Sequence, residues 1–315
     1  MFITEASSKS GYNDEHATAH LWNHITSSPD ASKFLRHENP DLIRIEIEKA
    51  KDEPEHPLNA KNAPKDGFHK GVRNEDAYYN ELHHAADAVH ALANHPSFKE
   101  AARKRMRASV AGHERVKLSD LWKNNGASEA SSTAVGKADI VIGDRSGEHH
   151  AVSLKKGNAQ LMSAEPQEFI STYDHATNEH MRVNPEFTQR HKNEVMHAIR
   201  ELGKHLRAMA GKKRAVQEKM AKEGDTLLKA IHTAHPGLEK HVHFEAATGH
   251  GKFGYNAPGT ARYLVTSKAS GSHVHDTLTN NEPIIASTPR VSLPKTEGRP
   301  AVVRTDYKAI STKKK

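Results

Sequence analysis

The sequence predicts an α/β protein in which a mixed central sheet is flanked by helices, with further helical extensions and a small C-terminal β region. Apolar residues recur at steps of three and four in residues 74–106 and again in roughly 185–234, as on the buried face of a helix. Between them, the apolar runs 139–142 and 151–154 flank a Gly/Asp/Arg/Ser turn, which is typical of a β-hairpin. Strand-like segments return in the last third as ARYLVTSK and as PRVSLP and PAVVRTD, which we expect to pair as a terminal hairpin.

Composition divides the chain into three predicted parts. Residues 1–73 show little periodicity and contain EPEHPLNAKNAPKDG, so we expect a loosely structured N-terminal arm with short helices near 17–25 and 42–50. Residues 74–235 should form the core with its flanking helices, which break at Pro96 and near Gly211. Residues 236–315 should form a β-rich part that packs on the core and ends in a basic tail.

Charge and residue usage narrow the classes of partner and metal site. The chain has 46 Lys and Arg against 39 Asp and Glu, which gives a net charge of +7 and fits a polyanionic partner. It has no cysteine, which excludes disulfides, thiolate zinc sites and cysteine nucleophiles. The 25 histidines are scattered among Lys and Glu, so we expect ordinary polar roles for them and rank a histidine-ligated metalloenzyme last.

The N-terminus lacks the charged start and apolar stretch of a signal peptide. No window approaches the roughly 20 apolar residues that a membrane span requires. We therefore expect a soluble, cytoplasmic protein without a membrane partner, and an oligomer is compatible with the sequence.

The predicted hairpin carries a set of side chains suited to phosphodiester chemistry. Asp139 opens the first strand, and Ser153 and Lys155 flank Leu154 on the second. Alternate positions on a strand point to the same face, so these side chains should converge. Phosphodiester cleavage uses a divalent cation held by acids, together with a basic group that orients water or offsets charge.

The segment GKADIVIGDRSGEHHAVSLKKGNAQLMS, residues 136–163, resembles the PD-(D/E)XK nuclease superfamily. It is most similar to a phage-like variant, written K-x-D-[VI]-x-[VI] followed by S-L-K-x-G-x-x-Q-L-M-S. Ala138 replaces the proline before the aspartate, and Ser153 replaces the acid before x-Lys, which leaves the site one carboxylate short. The resemblance implies a restriction-endonuclease-like fold and a phage-encoded nuclease that cleaves DNA with Mg²⁺, or alternatively Mn²⁺, in the host cytoplasm or the virion.

Several glutamates could supply the missing acid. Some family members follow S-x-K with twelve or thirteen residues and then Glu, and here twelve residues separate Lys155 from Glu168. Other members place the acid on an earlier helix. In order of preference the candidates are Glu168, Glu129, Glu165 and Glu114. The resemblance implies that Asp139 and Glu168, or Glu129, hold the metal, that Lys155 orients the attacking water, and that Ser153 supports the site.

Other residues have weaker patterns. We expect Gln160 one to two turns into a helix after the lysine, facing either the scissile phosphate or solvent, and Lys156 either solvates the strand end or contacts phosphate. The segment FEAATGHGKFG, with Glu245 and Lys252, is similar to stretches in tailed-phage proteins; a structural role is favoured over phosphate binding by its glycine amides. Basic helix faces at 102–107 and 204–222 either follow a nucleic-acid backbone or are solvated.

Two functions therefore compete. The first is a metal-dependent DNA nuclease. The alternative is a catalytically inactive nucleic-acid-binding or virion structural protein that keeps a nuclease-like fold, with an N-terminal arm that contacts virion proteins.

Overall fold

The computed structural model describes residues 9–36, 40–63, 75–110, 137–144, 148–156, 159–254, 260–268, 271–279, 284, 286–293 and 298–308. The chain forms two compact units. The first unit comprises residues 1–156 and 256–280, and the second unit comprises residues 157–255 and 281–315. The α/β class is confirmed, but these units do not follow the three-part division predicted from composition.

The first unit contains a five-stranded mixed sheet. Its strands, in spatial order, are β1 (Arg107–Val110), β2 (Ile140–Gly143), β3 (His149–Lys156), β5 (Tyr263–Lys268) and β6 (Gly271–Asp276). Strands β3 and β5 run parallel, and every other neighbouring pair is antiparallel. The predicted hairpin is confirmed as β2 and β3, with Ile140 opposite Val152.

Helices of the first unit pack on this sheet and share its hydrophobic core. They are α1 (Lys9–Ser27), α2 (Ala31–Arg36), α3 (Asp41–Asp52), α4 (Glu75–Asn94) and α5 (Pro96–Arg103). Trp22 of α1 is fully buried, and its indole N–H donates to the Met106 carbonyl at 2.9 Å. The helices expected near 17–25 and 42–50 are present as α1 and α3, but the chain there is not a loose arm, because the apolar face of α1 is buried in the core.

The second unit joins a small antiparallel sheet to a group of helices. The sheet has the order β4 (Gln160–Ala164), β8 (Val302–Asp306) and β7 (Arg290–Ser292). The helices are α6 (Pro166–Val183), α7 (Gln189–Ala208), α8 (Arg214–Ala234), α9 (Leu238–Thr248) and the single turn α10 (His250–Phe253). The predicted break near Gly211 and the predicted hairpin of PRVSLP with PAVVRTD are both confirmed.

Two predictions for this part of the chain are wrong. QLMSA forms strand β4 rather than a helix, because it pairs with β8 far along the sequence, where Ser163 lies opposite Arg304. The region after residue 235 is not uniformly β-rich, since it begins with α9 and α10 and its strands belong to two different sheets.

Candidate active site

The hairpin brings together the three residues with the strongest sequence pattern. Three donors approach the same oxygen of Asp139, Oδ2: the Ser153 hydroxyl at 2.8 Å, the Leu154 amide at 2.5 Å and the Lys155 ammonium at 3.5 Å. The Asp139 amide in turn donates to the Val152 carbonyl at 2.8 Å. All four partners lie on β3, so this strand fixes both the backbone and the carboxylate of Asp139.

Strand geometry explains this convergence. The register that places Ile140 opposite Val152 brings residue 139 beside Ser153. Leu154 packs against the hydrophobic core, so its neighbours Ser153 and Lys155 point to the other face. Ser153 is fully buried, whereas the Asp139 and Lys155 side chains are 23% and 14% exposed. The carboxylate and the ammonium therefore keep limited access to solvent.

A second carboxylate, Glu15 of α1, lies near this pair. Desolvation, followed by the negative charge of Asp139, raises the pKa of Glu15 to about 9, while the ammonium of Lys155 opposes this shift. The two carboxylates, of Asp139 and Glu15, are therefore close enough for their charges to interact. Their oxygens are the ligand type that Mg²⁺ takes.

Sequence reasoning missed Glu15. It lies in the segment NDEHATAH, which has no nuclease-like pattern, and it approaches Asp139 only because α1 packs against the sheet. The general expectation that an earlier helix could supply the acid pointed to residues nearer the hairpin. Of these, Glu114 and Glu129 lie outside the described residues.

The preferred acid, Glu168, lies in the second unit. It stands in the first turn of α6, where its Oε1 is 3.7 Å from the ammonium of Lys252. Glu165 is the exposed N-cap residue of the same helix. Gln160 begins β4 and is exposed, so its predicted place within a helix is wrong. Lys156 ends β3.

The segment FEAATGHGKFG uses its amides internally. The buried Glu245 carboxylate accepts the amides of Gly251 at 2.8 Å and Lys252 at 3.0 Å, and the Gly249 amide donates to the Glu245 carbonyl. Glu245 therefore fixes the chain from the end of α9 into α10. This is a structural role of the kind that the sequence favoured.

The basic runs are partly neutralised, and the run 102–107 is not a helix face, because α5 ends at Arg103 and β1 begins at Arg107. In the 102–107 run, Lys104 pairs with Glu148 at 2.9 Å and Arg103 with Glu100 at 2.9 Å. Between α7 and α8 and along α8, four lysines point to solvent: Lys212, Lys213, Lys219 and Lys222. These four define the α8 lysine face, which presents positive charge to any polyanion.

None of the helices in the described part of the chain is both long and apolar enough to cross a membrane. Comparisons with protein-family models, curated proteins and solved structures found no match.

Proposed function

We propose that this chain is a metal-dependent nuclease that hydrolyses DNA phosphodiester bonds. The observation that carries the proposal is the position of Glu15 beside Asp139 and Lys155. It supplies the second carboxylate that the site lacks because serine occupies position 153. The proposal therefore keeps Asp139, Ser153 and Lys155 in the roles implied by the family resemblance and replaces Glu168 by Glu15.

The donor set fits a hard divalent cation. Asp139 and Glu15 offer carboxylate oxygens, and the approach of all three donors to Oδ2 of Asp139 leaves Oδ1 as the oxygen for a metal. When bound, Mg²⁺ would polarise a phosphoryl oxygen and lower the pKa of a bound water. Lys155 would orient the attacking water and offset charge that develops on the phosphate. Ser153 would hold the Asp139 carboxylate in place.

The fold supports the same proposal. The mixed sheet contains the 139–156 hairpin, and helices share its hydrophobic core. We propose that a restriction-endonuclease-like fold explains why Asp139, Ser153 and Lys155 lie together at one end of the hairpin.

One observation favours the alternative of an inactive nucleic-acid-binding or virion structural protein. The buried Ser153 replaces an acidic ligand on the strand itself, which is what the loss of a metal site would leave behind. The α8 lysine face would serve a binding protein equally well. Measurement of cleavage separates the two.

The experiment is cleavage of plasmid and linear DNA, with RNA in parallel, by purified protein in Mg²⁺, Mn²⁺ or EDTA. The test variants are Asp139→Ala, Lys155→Ala and Glu15→Gln, and Glu168→Gln is the matched control. We expect metal-dependent cutting that is lost in the three test variants and kept in the control. Normal cutting by Glu15→Gln with loss in Glu168→Gln would assign the second acid to Glu168 instead.

Full activity in both Asp139→Ala and Lys155→Ala would refute the site. If wild-type protein cuts neither DNA nor RNA but binds DNA in a salt-sensitive way, the inactive binding protein is the correct alternative.

A further inference from the structure

A separate cluster of metal-ligand side chains lies in the first unit. Oε1 of Glu46 on α3 is 3.2 Å from Nε2 of His24 on α1 and 3.0 Å from Nε2 of His56, which follows α3. The three potential ligand atoms all lie within 4.8 Å of one another. The His24, Glu46 and His56 side chains are 11%, 17% and 7% exposed, so the cluster is largely shielded but reachable from solvent through Glu46.

The elements that carry the cluster are firmly held. On the α1 side, the Asn23 side chain exchanges two hydrogen bonds with the Ala108 backbone, one donated at 2.9 Å and one accepted at 2.8 Å. Beyond α3, the buried Asn59 amide donates to the carbonyls of Ala50 at 2.7 Å and Glu53 at 3.2 Å. These bonds hold the chain that leads into the turn with His56, so only the segment 56–58 has to adjust when a metal binds.

We propose that His24, Glu46 and His56 form a binding site for a divalent transition metal, with Zn²⁺ as the best match. Two histidines and one glutamate form a known zinc donor set. In a tetrahedral site with bonds of about 2.0–2.1 Å, ligand atoms lie about 3.3 Å apart. The two separations between Glu46 and the histidines, 3.0 and 3.2 Å, are close to this value, and the two imidazole nitrogens lie within 4.8 Å of each other.

A further histidine, His20, lies on the same helix as His24, outside the three-ligand group, and is a candidate for the fourth ligand. His20 lies one helical turn before His24 on α1, and its ring hydrogen-bonds the Pro57 backbone. Its Nε2 atom is buried and has no hydrogen-bond partner within the described part of the chain. A buried nitrogen without a partner is costly, and coordination to a metal would satisfy it. Water is the other candidate for the fourth position.

Metal binding requires one local rearrangement. The Leu58 amide donates to Nδ1 of His56 at 3.1 Å, so the neutral ring carries its proton on Nε2, directed at Glu46. Coordination through Nε2 moves this proton to Nδ1 and breaks the hydrogen bond from the Leu58 amide. The turn at 56–58 should therefore shift when the metal binds.

This site differs in chemistry from the one at Asp139. Imidazole ligands favour Zn²⁺, whereas Mg²⁺ takes oxygen ligands. Zinc binding should therefore persist in excess magnesium. His24 lies nine residues beyond Glu15, about 14 Å along the same helix. A metal here would tie α1, which carries Glu15, to α3 and the turn after it.

The test is zinc competition between a chromogenic chelator and the metal-stripped full-length protein in millimolar Mg²⁺. We expect one tightly bound Zn²⁺ per chain and an affinity at least about tenfold weaker in each of His24→Gln, Glu46→Gln and His56→Gln. His83→Gln is the matched control, because His83 also pairs with a glutamate of α3, Glu48, but belongs to no described three-ligand group, and it should bind as wild type.

A Co²⁺ absorption spectrum of the wild-type protein provides a readout that no variant can confound by failing to fold. Intense visible bands, typical of four-coordinate Co²⁺, are expected. Weak octahedral bands, or equal zinc affinity in wild type and all three variants, would show that only scattered surface histidines bind metal and would overturn the proposal.

Discussion

Glu15 combines a half-buried position with a negative neighbour, Asp139. Its pKa is raised from 4.5 to about 9. At neutral pH the folded protein therefore keeps a proton on Glu15, whereas in the unfolded chain this carboxyl is ionised. The associated stability is fully present below pH 4.5 and is lost as the pH rises through 9. A residue that weakens the fold at neutral pH is typical of a functional site rather than of a structural one.

We predict that Glu15→Gln stabilises the metal-free protein. In EDTA at about pH 8 the variant should unfold several degrees above wild type, because the neutral amide removes the cost of keeping Glu15 protonated at a pH well above its ordinary pKa. The difference should shrink as the pH falls towards 4.5, where wild-type Glu15 becomes protonated in both states. Thermal unfolding across this pH range measures the effect. Identical curves at the alkaline end would contradict the assigned environment of Glu15.

Another buried carboxylate, Asp276 at the end of β6, has its negative charge offset by the guanidinium of Arg262. Its side chain is 5% exposed and accepts two hydrogen bonds from the Arg262 guanidinium, at 2.9 and 3.3 Å, and one from the Leu278 amide at 3.0 Å. Such a pair stabilises a fold only while both partners are present, because a lone buried charge is costly.

Arg262→Ala should therefore destabilise the protein by about 3 kcal/mol, since it leaves the Asp276 carboxylate buried without its cation. Chemical denaturation provides the measurement. Arg190→Ala is the control: Arg190 is 84% exposed, and its pair with Glu194 should matter little to stability because solvent screens it. A loss in Arg262→Ala as small as in the control would mean that the Asp276 carboxylate is hydrated.

Among the helices and strands, the predictions that succeeded rest on local patterns. The β2–β3 hairpin is fixed by two apolar runs and one turn, so Asp139, Ser153 and Lys155 could be placed together from sequence. Strand β4 could not be predicted from local sequence, because QLMSA becomes a strand only by pairing with β8 near the C-terminus. The role of Glu15 could not be predicted either, because only the packing of α1 on the sheet brings it near Asp139.

The junction of α9 and α10 depends on a close approach that only glycine permits. A Cβ atom added to Gly251 would lie 2.5 Å from Cβ and Cγ of His175 on α6. Glu245 holds the Gly251 amide at 2.8 Å, which restricts backbone relief. The glycine therefore serves packing between two elements of the second unit.

Gly251→Ala should destabilise the protein by about 1–3 kcal/mol, as overpacking in a close-packed interior does. Replacing His175 by alanine in the same chain should recover only part of this loss, because it removes Cγ and the ring but keeps the clashing Cβ atom. A double-mutant cycle by denaturation measures the coupling between the two positions. Strictly additive effects would show that the two residues do not meet.

Positive charge is distributed unevenly over the protein. The net charge is +7, yet many basic side chains are already paired, as Lys51 is with Glu48 and Arg214 with Glu218. The α8 lysine face, by contrast, points to solvent. Lysines that are not paired with acids of the protein can bind the phosphates of a polyanion and release the counterions of that polyanion.

If DNA is the substrate, the affinity for DNA should fall steeply as the salt concentration rises. The slope of the logarithm of the binding constant against the logarithm of the salt concentration reports the number of phosphates that the protein neutralises. Replacing the four lysines of the α8 lysine face by glutamine should weaken binding to all sequences alike and reduce the slope by about 0.9 for each phosphate that is no longer neutralised. Lys51→Gln with Lys49→Gln is the control, because both lysines pair with glutamates of their own surface. Fluorescence anisotropy with a labelled duplex at several salt concentrations provides the measurement. An unchanged slope would show that DNA does not bind along α8. A reduced slope with an unchanged cleavage rate on bound DNA would show that these lysines bind the DNA backbone, while Asp139 and Lys155 serve its cleavage.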